Sequence, residues 1–149
     1  MAESGHDVAE SGRRAGTVGE LMNTRVVSAA PDSPVAEVAA AMVREKVGSA
    51  FIMQGHFLAG ILTERDVLRA AASGTDLTAV PASAWMTPDP QSAVPGTPVE
   101  EAAQIMFLNG FRHLPIVEGR HVCGVVSLRD LFAARIRRPA QRAGAGGGG

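Results

Sequence analysis

Displaced by 64 residues, the chain aligns with itself without a gap. Met22 falls on Met86, Pro31 on Pro95, Pro34 on Pro98 and Val35 on Val99. Met42 then meets Met106, Ile52 meets Ile116, Gly55 meets Gly119 and Gly60 meets Gly124, and the run closes with Arg65 on Arg129 and Asp66 on Asp130. Chance identities do not hold one offset over 45 positions, so the folded part is one unit written twice.

Each copy carries the same periodicities. Ser33-Pro34 precedes Val35, Val38, Ala39, Met42 and Val43, one face of an amphipathic helix with Ser33 as N-cap and Pro34 in the first turn. Thr97-Pro98 precedes Val99, Ala102, Ala103, Met106 and Phe107 in the same way. Two short apolar runs follow, 50–53 and 57–62 around Gln54-Gly55-His56, then 114–117 and 121–126 around Glu118-Gly119-Arg120; they predict buried hairpin strands. Second helices are predicted from Thr63 to about Ser73 and from Ser127 to about Ile136, and short extended segments near Val26-Val27 and Ser92–Val94 precede each first helix. The fold class is therefore α+β, built from two pseudo-twofold-related β-α-β-β-α units. Each buries only part of its apolar surface alone, so the two are expected to pack through their sheets and to leave two related clefts between them.

The expected organisation is a disordered leader (1–16), unit one (17–73), a linker (74–82), unit two (83–138) and a disordered Gly-rich tail (139–149). Thr17 and Glu20 resemble a capping box, predicting a short helical lead-in to unit one over 17–22. The chain has no apolar run long enough to span a membrane and no basic, apolar signal at its start, and its single Cys123 forms no internal disulfide; a cytoplasmic location is the default expectation. A net charge of −1 argues against a general nucleic-acid binder, and the arginines at 129, 135, 137, 138 and 142 read as a solubilising end. Thirteen of the 14 basic residues are Arg, which with the abundant Ala and Gly hints at a GC-rich bacterial genome.

The best-defined local motif also occurs twice, as Gly60-Ile61-Leu62-Thr63-Glu64-Arg65-Asp66 and Gly124-Val125-Val126-Ser127-Leu128-Arg129-Asp130. Helix capping alone accounts for Thr63, Ser127 and both aspartates. The same helix start also presents N–H groups and a hydroxyl suited to a phosphate, and a carboxylate suited to a ribose diol. Spacing leaves both roles open, and they are compatible.

The doubled unit, the methionines in Leu21-Met22 and Trp85-Met86-Thr87, the two glycine-to-aspartate motifs and the strand Arg112-His113-Leu114-Pro115-Ile116-Val117 together resemble a tandem pair of CBS domains, a Bateman module, over essentially all of 17–138. The resemblance implies pseudo-symmetric pairs that assemble as homodimers and bind adenosine-containing ligands (AMP, ADP, ATP, sometimes S-adenosylmethionine) in the clefts. It places Asp130 on the ribose, Ser127 near ribose or phosphate, Val125 against adenine with Val27 and Val47 from the other copy, and His113 with Arg112 at the phosphates. The related cleft would use Asp66, Thr63 and Ile61 with Gln91 and Phe111. There Ser49 stands where His113 stands in the other, so the Asp130 cleft is expected to bind anions better unless Arg112 or Arg69 substitutes.

The four histidines and Cys123 show no metal-ligand spacing, and no acid, base and nucleophile set suggests an enzyme. Cys123 is expected as a small buried hydrophobe, and Trp85 at the mouth of unit two. The function expected is regulatory adenine-nucleotide sensing passed to an effector protein, the alternative a ligand-free dimeric scaffold.

Overall fold

A computed structural model describes residues 16–135. The expected leader, Gly16 apart, and the Gly-rich tail lie outside the described residues. Copy one forms β1 (Val27–Ala29), α1 (Val35–Glu45), β2 (Ser49–Gln54), β3 (Phe57–Thr63) and α2 (Glu64–Ala72). Copy two begins at β4 (Thr87–Pro88) and continues through α3 (Val99–Asn109), β5 (His113–Glu118), β6 (His121–Ser127) and a helix α4 over 128–135. The strand expected near Ser92–Val94 is reduced to a parallel bridge between Ala93 and Ile116, the counterpart of the Ala29–Ile52 pair joining β1 to β2. Pro90-Gln91 replaces Val26-Val27 there, removing a ladder donor and two β-branched side chains.

The main sheet runs β1-β2-β3-β4, with β1 parallel to β2 and the other pairs antiparallel. Its last strand comes from copy two: Thr87 pairs with Ile61 and Pro88 with Gly60. Copy one reciprocates, since Asn23 bridges Val125 on β6. Each copy thus lends its leading segment to the other's hairpin. The loan corrects the expected lead-in. Residues Val18–Glu20 do form a 3₁₀ turn with a Thr17–Glu20 capping box, but Val18 N–H donates to Thr97 O and its side chain is buried in the core of copy two. Ala82 makes the reciprocal insertion into copy one. Glycines 60 and 124 permit these approaches. A Cβ at Gly60 would meet Thr87 O at 2.9 Å, and one at Gly124 would meet Asn23 O at 2.7 Å.

The first-helix caps also differ from expectation. The residue flanking α1 is Pro34, in extended conformation, while the Ser33 hydroxyl accepts from Ala30 N–H. The linker supplies the missing acceptors: Val35 N–H donates to Val80 O and Ala36 N–H to Leu77 O. Copy two repeats this, with Thr97 bonded to Val94 N–H and Val99 N–H donating to Gly16 O. The orphan N–H groups of a helix start are met by backbone carbonyls rather than by a side chain.

Each copy encloses its own core, one centred on Val35, Val38, Met42, Ile52 and Leu62, the other on Val99, Met106, Leu114, Ile116 and Val126. A third cluster, Phe51, Ile61 and Val125, joins the two sheets face to face. Val43 and Phe107, expected on the core faces, are exposed, Phe107 to 83%. Eight residues along a helix bring a side chain about 80° round from the first, to the edge of the buried stripe.

Candidate functional site

The motif ends of β3 and β6 deliver Thr63 and Ser127 to the starts of α2 and α4. Both aspartates cap. Asp66 Oδ2 accepts from Thr63 N–H at 2.9 Å and from its hydroxyl at 3.0 Å. Asp130 Oδ2 accepts from Ser127 N–H at 3.2 Å, and Ser127 Oγ accepts from Asp130 N–H at 3.0 Å. The two carboxylates then part company. Asp66 is 7% exposed, and its Oδ1 accepts from Arg69 Nη1 at 3.2 Å. Asp130 is exposed, and its Oδ1 has no partner among the described residues.

A cleft of about 1090 Å³ opens around Asp130. Copy two contributes Arg112, His113, Ser127 and Asp130, while copy one contributes Asn23, Lys46, Gly48 and Glu64. Four expected residues therefore line one cleft. The three valines expected against adenine do not line the cleft: Val125 belongs to the intersheet cluster, Val27 to the core of copy one, and Val47 packs against that core. They were placed at the cleft by resemblance, but their apolar side chains are taken up by packing. The second expected set does not converge on a described cleft. Ile61 is in the intersheet cluster, Phe111 packs against the core of copy two and Gln91 is exposed. A smaller cleft of about 720 Å³ lies between the hairpin tips, lined by His56 and Arg120 among others, and holds none of the expected residues.

His113 stands beside Gly48, where a Cβ would come within 3.1 Å of its Cε1. Burial pushes its imidazole below the ordinary value of 6.5, with the Glu64 and Asp130 carboxylates pulling the other way and Arg112 adding to the lowering. Burial thus disfavours the charged ring. Lys46 was not anticipated. It is the chain's one lysine, at the C-terminal end of α1 with φ 59°, where copy two has Gly110 at φ 72°. A side chain in that left-handed region costs about 1–2 kcal/mol; the available signal was a lysine where the repeat places glycine. Trp85 sits not at the mouth of unit two but against the core of copy one, with the Arg69 guanidinium 5.5 Å from its ring centroid. Cys123 is free and half-buried beside the core of copy two. Among the described residues no helix is long and apolar enough to cross a membrane, and no cluster of three or more His, Cys, Asp or Glu could hold a metal ion.

The family model for the CBS domain matches twice, over residues 18–73 and 82–137. The chain belongs to the CBS domain family, as a tandem pair. The CBS domain-containing protein YhcV of Bacillus subtilis is 34% identical over 116 residues, spanning 77% of this chain and 82% of that protein. An uncharacterized 17.7 kDa protein of Acidianus ambivalens is 37% identical over 119 residues, spanning 78% and 71%. Among solved structures, a CBS-domain containing protein from Agrobacterium tumefaciens superimposes with a TM-score of 0.75 at 27% identity, covering 82% of this chain and 95% of that one. A CBS domain pair in complex with 5'-methylthioadenosine and S-adenosyl-L-methionine shares the fold, with a TM-score of 0.72 at 23% identity, covering 78% and 93%.

Proposed function

We propose that this CBS pair is a regulatory module that binds an adenosine-containing ligand (AMP, ADP, ATP or S-adenosylmethionine) in the Asp130 cleft. The observation that carries the reading is the free Oδ1 of Asp130 beside the Ser127 cap, in a cleft that Arg112, His113 and Lys46 also line. A carboxylate accepts two vicinal ribose hydroxyls, and the cations suit the phosphates or another anionic end. A structural neighbour that holds adenosine compounds lends support. Binding acts by differential affinity for two arrangements of the copies or of two protomers, and the shift is read by an effector protein. Thermal melts with AMP, ADP, ATP and S-adenosylmethionine test this. A ligand at 100 times its dissociation constant adds about 2.7 kcal/mol of stability. No shift with any of the four overturns the proposal.

A second reading, a ligand-free dimeric scaffold, is favoured by paired apolar residues left outside on the helices. Val43 and Phe107 are related by the repeat, as are Leu68 and Phe132, and all four are exposed. A homodimer covering these faces is compatible with either reading. The scaffold reading predicts a dimer by light scattering whose mass and melting point no nucleotide changes.

A further inference from the structure

We infer that the cleft between the hairpin tips is a second ligand site, fitted to an α-amino acid with an aromatic side chain. It shares no lining residue with the Asp130 cleft, so the inference stands apart from the adenosine reading.

A break in the repeat opens this cleft. The lead-in of copy one places Val26 against the intersheet cluster, where Met53, Leu58 and Val122 also pack. In copy two the counterpart of Val26 is Pro90, which lines the cleft, and the pairing beyond it is reduced to the single bridge at Ala93. Leu58 and Val122, related by the repeat, line the cleft as an apolar floor. Phe57, 62% exposed, adds an aromatic face. The volume of about 720 Å³ lies within the roughly 300–1,000 Å³ of small-molecule sites.

Charge narrows the occupant. Asp89 and Arg120 both line the cleft; neither has a side-chain partner among the described residues, and they do not pair with each other. Asp89 is held at φ 45°, in the left-handed region that its Cβ disfavours, while its N–H donates to Ala59 O at 2.9 Å. Copy one has Arg25 at the equivalent position, outside that region. Backbone strain of this kind gathers at functional sites. A ligand that satisfies both groups carries an ammonium for Asp89 and a carboxylate for Arg120, whose guanidinium grips a carboxylate through two parallel bonds. An aromatic side chain on the same molecule finds Phe57 and the apolar floor. A purely anionic amphiphile would instead leave Asp89 unanswered and bring a like charge beside it.

Calorimetric titration of L-phenylalanine into the full chain tests this, with 3-phenylpropionate, which lacks the ammonium, and phenethylamine, which lacks the carboxylate, as comparisons. The wild type is expected to bind one L-phenylalanine per chain and each analogue at least tenfold more weakly. Asp89→Asn keeps a residue tolerant of the left-handed region; it should lose at least tenfold in affinity and no longer prefer L-phenylalanine over 3-phenylpropionate. Arg120→Gln should likewise lose the preference over phenethylamine. If a variant lacks native circular dichroism, the wild type's ranking of the three compounds decides alone. No binding of L-phenylalanine up to about 10 mM, equal binding of either analogue by the wild type, or unchanged affinity in natively folded variants overturns the inference.

Discussion

Copy one and copy two share a backbone plan and differ in what they do with the space between them. At the position that opens each hairpin's second step, copy one has Phe51 and copy two has Pro115; Phe51 is buried in the intersheet cluster with Ile61 and Val125. At the helix starts, copy one turns its aspartate inward onto Arg69, whereas copy two leaves Asp130 facing a cleft. Under the function proposed, the duplicated unit assigns cohesion to one half and ligand contact to the other. Substitution costs in stability should fall mainly on copy one's side of the junction, and costs in ligand response on copy two.

The largest effect expected is from Phe51→Ala, which empties the centre of the intersheet cluster and should cost about 3–5 kcal/mol in urea unfolding. A loss below about 1 kcal/mol would mean that the two sheets do not depend on this side chain. Next comes Gly124→Ala. Its Cβ would press on the backbone carbonyl of Asn23, 2.7 Å away, and should cost about 1–3 kcal/mol by displacing the borrowed segment. The aspartates sharpen the comparison further: Asp66→Ala and Asp130→Ala should each lose about 1 kcal/mol, the worth of a cap, with the exposed Arg69 adding little to the first.

The smallest effect is a pH dependence. Because burial lowers the His113 pKa, the unfolded chain takes up a proton near 6.5 that the folded chain resists. Stability is therefore retained above that value and declines as pH falls below it. His113→Gln should flatten the decline between about pH 7 and 5, and an unchanged slope would exclude the histidine. An anionic ligand beside His113 raises its pKa, so ligand affinity should strengthen on mild acidification in the wild type and not in the variant.

The repeat, the hairpins and both motif caps were legible because each is a local pattern of period, glycine and cap. The exchange of leading segments was not, since Thr17–Glu20 reads equally well as a lead-in to either copy, and only the clearance over Gly60 and Gly124 directs it across. The first-helix caps were misread for a related reason. Ser33 and Thr97 have the right chemistry, but carbonyls of Leu77, Val80 and Gly16, distant in sequence, satisfy the helix instead. At the candidate site, the polar residues Arg112, His113, Ser127 and Asp130 came together as expected, because side chains that no core can absorb remain at the cleft. Val27, Val47 and Val125 did not, because apolar side chains serve packing as readily as ligand contact. Lys46 lay outside the motif, and only its departure from the repeat marked it.

The central claim, that the two motif aspartates have parted in function, is tested most directly by calorimetric titration of AMP into the wild type, Asp66→Ala and Asp130→Ala at matched protein concentration. The account predicts binding in the wild type, binding of similar affinity in Asp66→Ala, and loss of at least tenfold in Asp130→Ala. Equal losses in the two variants, or loss confined to Asp66→Ala, would contradict it.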